Sequence, residues 1–296
     1  PQQFRELGYR VVDMIADYYA TLDQRPVFPA RSSADIAALF AEPLPQHGQD
    51  PHAILDAWEE KILPNATHLG SPRYFGFVNG SGTMIATLAE ALAASVNMNA
   101  GGWKAGPAAT EIERQTIAWI AEMVGYPSSC GGLFTSGGTM ANFTAILSAI
   151  RNMALYDITA EGLQSERRQG RFLIYMADHE GHISITRVAD MLNLGRCAIR
   201  HVPSRDDLTM NPAALDSMLR QDKARGDLPF CVVAQVGAIN TGGVESLHEI
   251  SRICDEHGLW LHADGANGAV GRLVAGKEHL YAALELSLIH ISEPTR

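Results

Sequence analysis

The chain has 296 residues, 46% of them hydrophobic and 19% charged, with a formal net charge of −10, a balance that can bury a large core and does not resemble that of a disordered chain. The charge is spread out, and no block of lysine or arginine could track a phosphate backbone, which argues against a nucleic-acid partner. No apolar run approaches the roughly 18 to 20 residues that span a bilayer, and the opening PQQFRELGYR has no apolar signal-peptide core, so the expectation is a cytoplasmic protein with no membrane partner.

In chain order, helical patterns come first: Phe4 to Leu22, Ser33 to Phe40 and Pro51 to Ile62, separated by proline-rich turns such as Arg25-Pro26-Val27-Phe28-Pro29 and Glu42-Pro43-Leu44-Pro45. This stretch is thin in apolar residues for a core of its own. It is expected to pack on the main domain or on a second subunit. From about Pro72 the pattern becomes long helices and short apolar runs, as in an α/β fold with a mainly parallel sheet. Helices are expected at Thr83 to Ala94, Pro107 to Val124, Thr139 to Met153, Ile183 to Leu194, Pro212 to Arg225 and Val244 to His257. Strands are expected at Phe172 to Met176, Ala198 to Val202, Phe230 to Val236 and Leu259 to Ala263, the last two forming one strand-helix-strand unit with parallel strands. Cys130, Cys197, Cys231 and Cys254 include no Cys-x-x-Cys pair, so neither a disulfide framework nor a zinc site is indicated.

Ligands of open α/β sheets gather beyond the carboxyl ends of the strands, and three segments there carry chemistry. In Thr135-Ser136-Gly137-Gly138-Thr139 small residues run into a helix, whose free amides and dipole suit a phosphate; a flexible glycine turn capped by Thr139 fits equally. Trp260-Leu261-His262-Ala263-Asp264-Gly265-Ala266 delivers a carboxylate at a strand end, able to pair with a protonated ring nitrogen while Ala266 leaves room for a flat ring. A strand-end aspartate capping a turn fits the same spacing. Ala177-Asp178-His179-Glu180-Gly181-His182 invites a metal reading, but the order differs from the helical His-Glu-x-x-His motif and no third ligand is evident. A histidine here could instead lie on an aromatic ring, move protons, or simply be a solvated loop residue.

Taken in this order and at these separations, the three segments resemble the group II pyridoxal-phosphate (PLP) dependent decarboxylases, which act on aromatic amino acids, glutamate or diaminobutyrate. The likeness runs from about Phe4 to Glu285 and includes Ser71-Pro72-Arg73-Tyr74-Phe75-Gly76-Phe77, Gly106-Pro107-Ala108-Ala109-Thr110-Glu111-Ile112-Glu113, Met140-Ala141-Asn142 and Gln235-Val236-Gly237-Ala238-Ile239-Asn240-Thr241-Gly242. The resemblance implies a fold-type-I (aspartate-aminotransferase-like) PLP-binding large domain at 72–286, a helical dimerisation segment at 1–71, an amino-acid substrate and a homodimer. It implies that Gly138 and Thr139 bind the cofactor phosphate, His182 stacks on the ring, Asp264 holds the pyridinium nitrogen and Ala266 packs under it. Asn240 and Thr241 would lie beside the cofactor, although Ala238-Ile239 replaces a Thr-Thr pair common in relatives, and Asn79-Gly80 would fall at the substrate pocket. Other PLP enzymes of the same fold, or a catalytically dead dimer partner, remain open beside the decarboxylase reading.

In that family a lysine holding PLP follows the aspartate by about thirty residues, in a segment ending His-Lys. The lysines here are Lys61, Lys104, Lys223 and Lys277, and counting from Asp264 lands on Arg296. The likeness ceases near Leu286, and 287–296 is similar to translated adapter sequence. The expectation is a truncated reading frame that lacks the lysine and the C-terminal small domain, and therefore an inactive fragment.

Overall fold

The computed structural model describes residues 1–127, 129–163, 165, 170–287 and 289–291; Arg296 and most of the expected foreign tail lie outside these. The chain divides into two compact units, Pro1–Leu92 and Ala93–Pro294. The first holds α1 (Gln2–Thr21), α2 (Ser33–Leu39) and α3 (Pro51–Ala57), none with a buried residue. Their starts are written in the sequence: Ser32 and Asp35 form a reciprocal capping box on α2, and the Asp50 carboxylate accepts from His52 N at 3.0 Å on α3. The helix expected over Pro51 to Ile62 stays α-helical only to Ala57 and then widens into a π-helix, Trp58–Ile62. Pro64 lacks an N–H and its ring crowds the carbonyl four residues back, which places the pressure on Glu60 inside the widened turn. Helix α4 (Met84–Val96) carries the chain into the second unit.

The second unit contains α5 (Pro107–Val124), α6 (Gly138–Met153), α7 (Ile158–Glu161), β1 (Phe172–Ala177), α8 (Ile183–Met191), β2 (Ile199–Val202), α9 (Pro212–Ala224), β3 (Leu228–Gln235), α10 (Leu247–His257), β4 (Trp260–Asp264) and β5 (Ile289–Ile291). Among the described residues the strands form one sheet in the order β2-β1-β3-β4-β5, every neighbouring pair parallel. Strand alternation sends Leu173, Val232, Ala234, Leu261 and Ala263 to one face, where α9 and α10 supply Leu215, Leu219, Ile250 and Ile253. Ile174, Met176, Phe230 and Val233 face the other way, against Ile146 and Ile150 of α6 and Ile185 and Val188 of α8. The sheet is therefore covered on both sides, as parallel sheets require.

The four expected strands and the helices between them are present, with shifted ends. Helix α10 starts at Leu247 rather than Val244 because Val244 bridges Val236, and Glu245 N donates to Gln235 O at 3.0 Å. Helix α8 ends at Met191, where Asn193 turns the chain at φ 55. Residues Arg196–Ala198 form a 3-10 turn, so β2 begins at Ile199. The cysteines are free, Cys231 and Cys254 buried, Cys130 half-buried and Cys197 exposed.

Candidate functional site

Parallel strands bring their carboxyl ends to one edge, and the segments after β1, β3 and β4 meet there with the start of α6. Period-two alternation puts His262 and Asp264 on the α6 side of β4, and both are buried. Asn142, in the second turn of α6, is 1% exposed and reaches both of them. Its Nδ2 donates to Asp264 Oδ2 at 3.1 Å and to Ser184 Oγ at 2.8 Å, while its Oδ1 lies 2.6 Å from His262 Nε2. Asp264 Oδ1 accepts from Ala266 N at 3.3 Å. An ionised carboxylate offers about four lone-pair positions, so Asp264 retains accepting capacity after both bonds. His182 is the N-cap of α8: its Nδ1 is 2.7 Å from Ser184 Oγ and 3.3 Å from Ser184 N. Hydrogen bonds thus join His182, Ser184, Asn142, Asp264 and His262 in one unbroken chain.

The phosphate-binding expectation falls at the start of α6. Gly137, not Thr139, is the N-cap, with φ 146 and ψ 170 and no side-chain cap; this backbone region is open almost only to glycine. Thr139 is inside the first turn, which corrects the reading of it as the cap. Gly138 begins the helix, so its amide and that of Thr139 are first-turn donors without carbonyl partners four residues back. After β3, the loop bearing Asn240 and Thr241 closes on itself: Gly242 N donates to Ala238 O at 2.7 Å and Gly243 N to Thr241 Oγ1 at 3.1 Å. It is pinned to the loop after β4 by two glycines, since a Cβ on Gly237 would sit 2.4 Å from Gly268 Cα. Asn79 and Gly80 belong to the first unit, where Asn79 Nδ2 donates to Tyr74 OH at 3.2 Å. His179 lies 3.8 Å from Asp178 and is mostly exposed, apart from the chain of bonds that holds His182.

Asn142 entered the sequence reading only as part of a quoted segment, and Ser184, His262 and the amide of Gln235 were missed as site residues. The signal for His262 was available, because it stands two residues before Asp264 in a strand. Gln235 pairs in register with Asp264, and its Nε2 is buried without a hydrogen-bond partner, as is Oε2 of Glu180 in the segment after β1. A buried orphan donor costs stability unless something fills it. The set fits a flat, acceptor-bearing ring with a cationic nitrogen for Asp264 and an anionic arm for the start of α6, which is the chemistry of PLP.

Lys223 is placed elsewhere. Lys223, near the end of α9, donates to His257 O at 2.6 Å, at the last turn of α10; both crossover helices end at the amino edge of the strands, opposite Asp264. Lys61, in the first unit, is bonded to Glu42 at 2.6 Å, and Lys104 and Lys277 are exposed.

Comparison with known proteins gives a consistent result. Residues 34–284 match the family model described as the pyridoxal-dependent decarboxylase conserved domain. An aromatic-L-amino-acid decarboxylase of Bacillus atrophaeus is 33% identical over 268 residues, spanning 90% of this chain and 53% of that protein. A tyrosine decarboxylase of Oryza sativa subsp. japonica is 33% identical over 275 residues, spanning 89% and 50%. The crystal structure of Rhodiola rosea 4-hydroxyphenylacetaldehyde synthase superposes with a TM-score of 0.87 at 25% identity, over 97% of this chain and 61% of that one. The chain spans about half the length of the curated relatives it matches.

Proposed function

The chain belongs to the pyridoxal-dependent decarboxylase family, and from that premise we propose that the whole protein removes carbon dioxide from an L-amino acid, using PLP held at the Asp264 end of β4. The observation that carries this reading is the buried Asp264 carboxylate, aimed by Asn142 and the Ala266 amide. PLP, when bound, supplies an electron sink for the bond to the departing carboxylate. Asp264 keeps that sink charged by accepting from the ring nitrogen. With PLP bound, the amides of Gly138 and Thr139 would take the phosphate, and Ala266 and His182 would pack against the ring. Asn240 and Thr241 would flank the cofactor. Residues 72–286 form the cofactor-binding domain.

Turnover belongs to the longer protein in this proposal, because the four lysines of this stretch include none assigned to the cofactor and Lys223 is at the opposite edge of the sheet. The helical residues 1–71 pair two copies into a homodimer, a reading supported by the exposed apolar side chains Phe4, Tyr9 and Phe28. Four free cysteines suit a reducing compartment, and we place the protein in the cytoplasm.

The test is PLP uptake by this chain, followed by absorbance after gel filtration, before and after borohydride. Reversible uptake that Asp264→Ala weakens at least about tenfold, the worth of one charged hydrogen bond, with no lysine fixed by borohydride, is the expected result. Uptake unaffected by Asp264→Ala would overturn the site. A stable adduct on Lys277 or another of the four lysines would overturn the assignment of turnover to the longer protein.

A further inference from the structure

Hydrogen-bond polarity in the buried chain around Asp264 is fixed at one point and propagates from there. An ionised carboxylate only accepts, so the atom of Asn142 that faces Asp264 Oδ2 at 3.1 Å is its NH2 group. That group has two hydrogens, and the second goes to Ser184 Oγ at 2.8 Å. Two consequences follow. On one side, Asn142 Oδ1 faces His262 Nε2 at 2.6 Å and can only accept, so His262 carries its proton on Nε2. On the other side, the Ser184 N–H donates to His182 Nδ1 at 3.3 Å, which makes that nitrogen an acceptor, so the Ser184 hydroxyl 2.7 Å away, while accepting from Asn142, directs its own hydrogen to it. His182 Nδ1 receives two donors and has no place for a proton of its own.

We propose that Asn142 is a positioning residue that couples the two sides of the cofactor site. Its amide commits Asp264 to accept from the ring nitrogen and, through Ser184, holds His182 as the neutral tautomer with its proton on Nε2. The device keeps the histidine that covers the ring uncharged while the ring nitrogen beneath is cationic, so that two positive groups are not stacked. The part that concerns the cofactor rests on the function proposed above; the proton positions do not.

The first measurement is a long-range proton–nitrogen correlation spectrum of the chain labelled with 15N-histidine. His182 and His262 are assigned by the signals lost in His182→Gln and His262→Gln. Above the range in which histidine titrates, His182 is expected to show a protonated Nε2 and a bare Nδ1, and His262 a protonated Nε2. A proton on Nδ1 of His182, a bare Nε2 on His262, or an even mixture overturns the inference, and this arm uses the unsubstituted chain without cofactor. The second measurement is PLP affinity in Asn142→Ala and in Asn142→Asp, which preserves side-chain size and the acceptor facing His262 but donates nothing to Asp264. Both are expected to lose roughly ten- to a hundredfold in affinity, the span for a hydrogen bond to a charged group. Wild-type affinity in Asn142→Asp overturns the positioning role. If the unsubstituted chain takes up no PLP, the proposed function fails while the tautomer spectrum still decides the proton assignment.

Discussion

Glu245 shows how one buried side chain makes stability depend on pH. It is 4% exposed and accepts from Met210 N at 3.0 Å. Burial pushes its carboxyl up to about 8, with Asp207 and Glu180 adding repulsion and the Met210 amide and Arg205 opposing the rise. The folded state therefore holds a proton that the unfolded chain releases near its ordinary value of 4.5. Stability from this group is complete below that value and is lost as pH climbs toward 8, with a slope of up to about 1.4 kcal/mol per pH unit. Glu245→Gln keeps an acceptor for Met210 and should flatten the dependence, so that urea midpoints at pH 5 and pH 8 converge relative to the parent chain; an unchanged dependence would assign the slope to other groups. The same scale shows what sequence reading can and cannot reach. Asp264 and Gly138 were legible because a strand end and a glycine turn are local patterns. Asn142 was not legible as a partner of Asp264, because a polar residue in a helical pattern reads as solvated until the sheet that buries it is known. Ser184 and Gln235 were hidden for the same reason, their roles being set by residues far away in sequence.

Helix α9 is anchored to the sheet through Asp222, which is fully buried. Tyr175 OH of β1 donates to its Oδ2 at 2.6 Å, Arg200 of β2 spans both oxygens at 2.9 and 3.1 Å, and Arg225 adds a third donor. Burial also holds the Tyr175 phenol well above its usual range. Asp222→Ala strands the buried Tyr175 hydroxyl, while the partly exposed Arg200 and Arg225 turn to water, and should cost about 1–3 kcal/mol, the usual loss for an unsatisfied buried polar group. A urea titration checks this; a loss below about 1 kcal/mol would mean that water replaces the carboxylate at no cost. Elements were the most legible level of the sequence. Pro107 at N1 and Gly125 at φ 73 bound α5 where the sequence placed it. The misplaced ends have local causes: bridge formation at Val244 delays α10, and Pro64 turns the last expected turn of α3 into a π-helix.

At the scale of the molecule, the first unit has α-helices without a buried residue and leaves Phe4 and Tyr9 of α1 more than seven-tenths exposed. Sedimentation equilibrium at micromolar concentration should find a species of twice the 32.0 kDa chain mass, dissociated by Phe4→Ser with Tyr9→Ser; a stable monomer would remove the case for pairing through this surface. The α/β architecture was readable from the alternation of periods, whereas the order β2-β1-β3-β4-β5 was not, because strand neighbours are chosen by packing across the sheet rather than by local sequence. That order sets a timetable for synthesis. Strands β1 and β2 leave the ribosome early and can pair at once, but the other edge of β1 is filled only by β3. At about 5–20 residues per second the stretch from Val202 to Gln235 takes roughly two to seven seconds. Through that interval the apolar run Phe172–Ala177 presents an open hydrogen-bonding edge to neighbouring nascent chains. Slow codons between β2 and β3 would prolong this exposure, and a chaperone that binds extended apolar segments would act to greatest effect there.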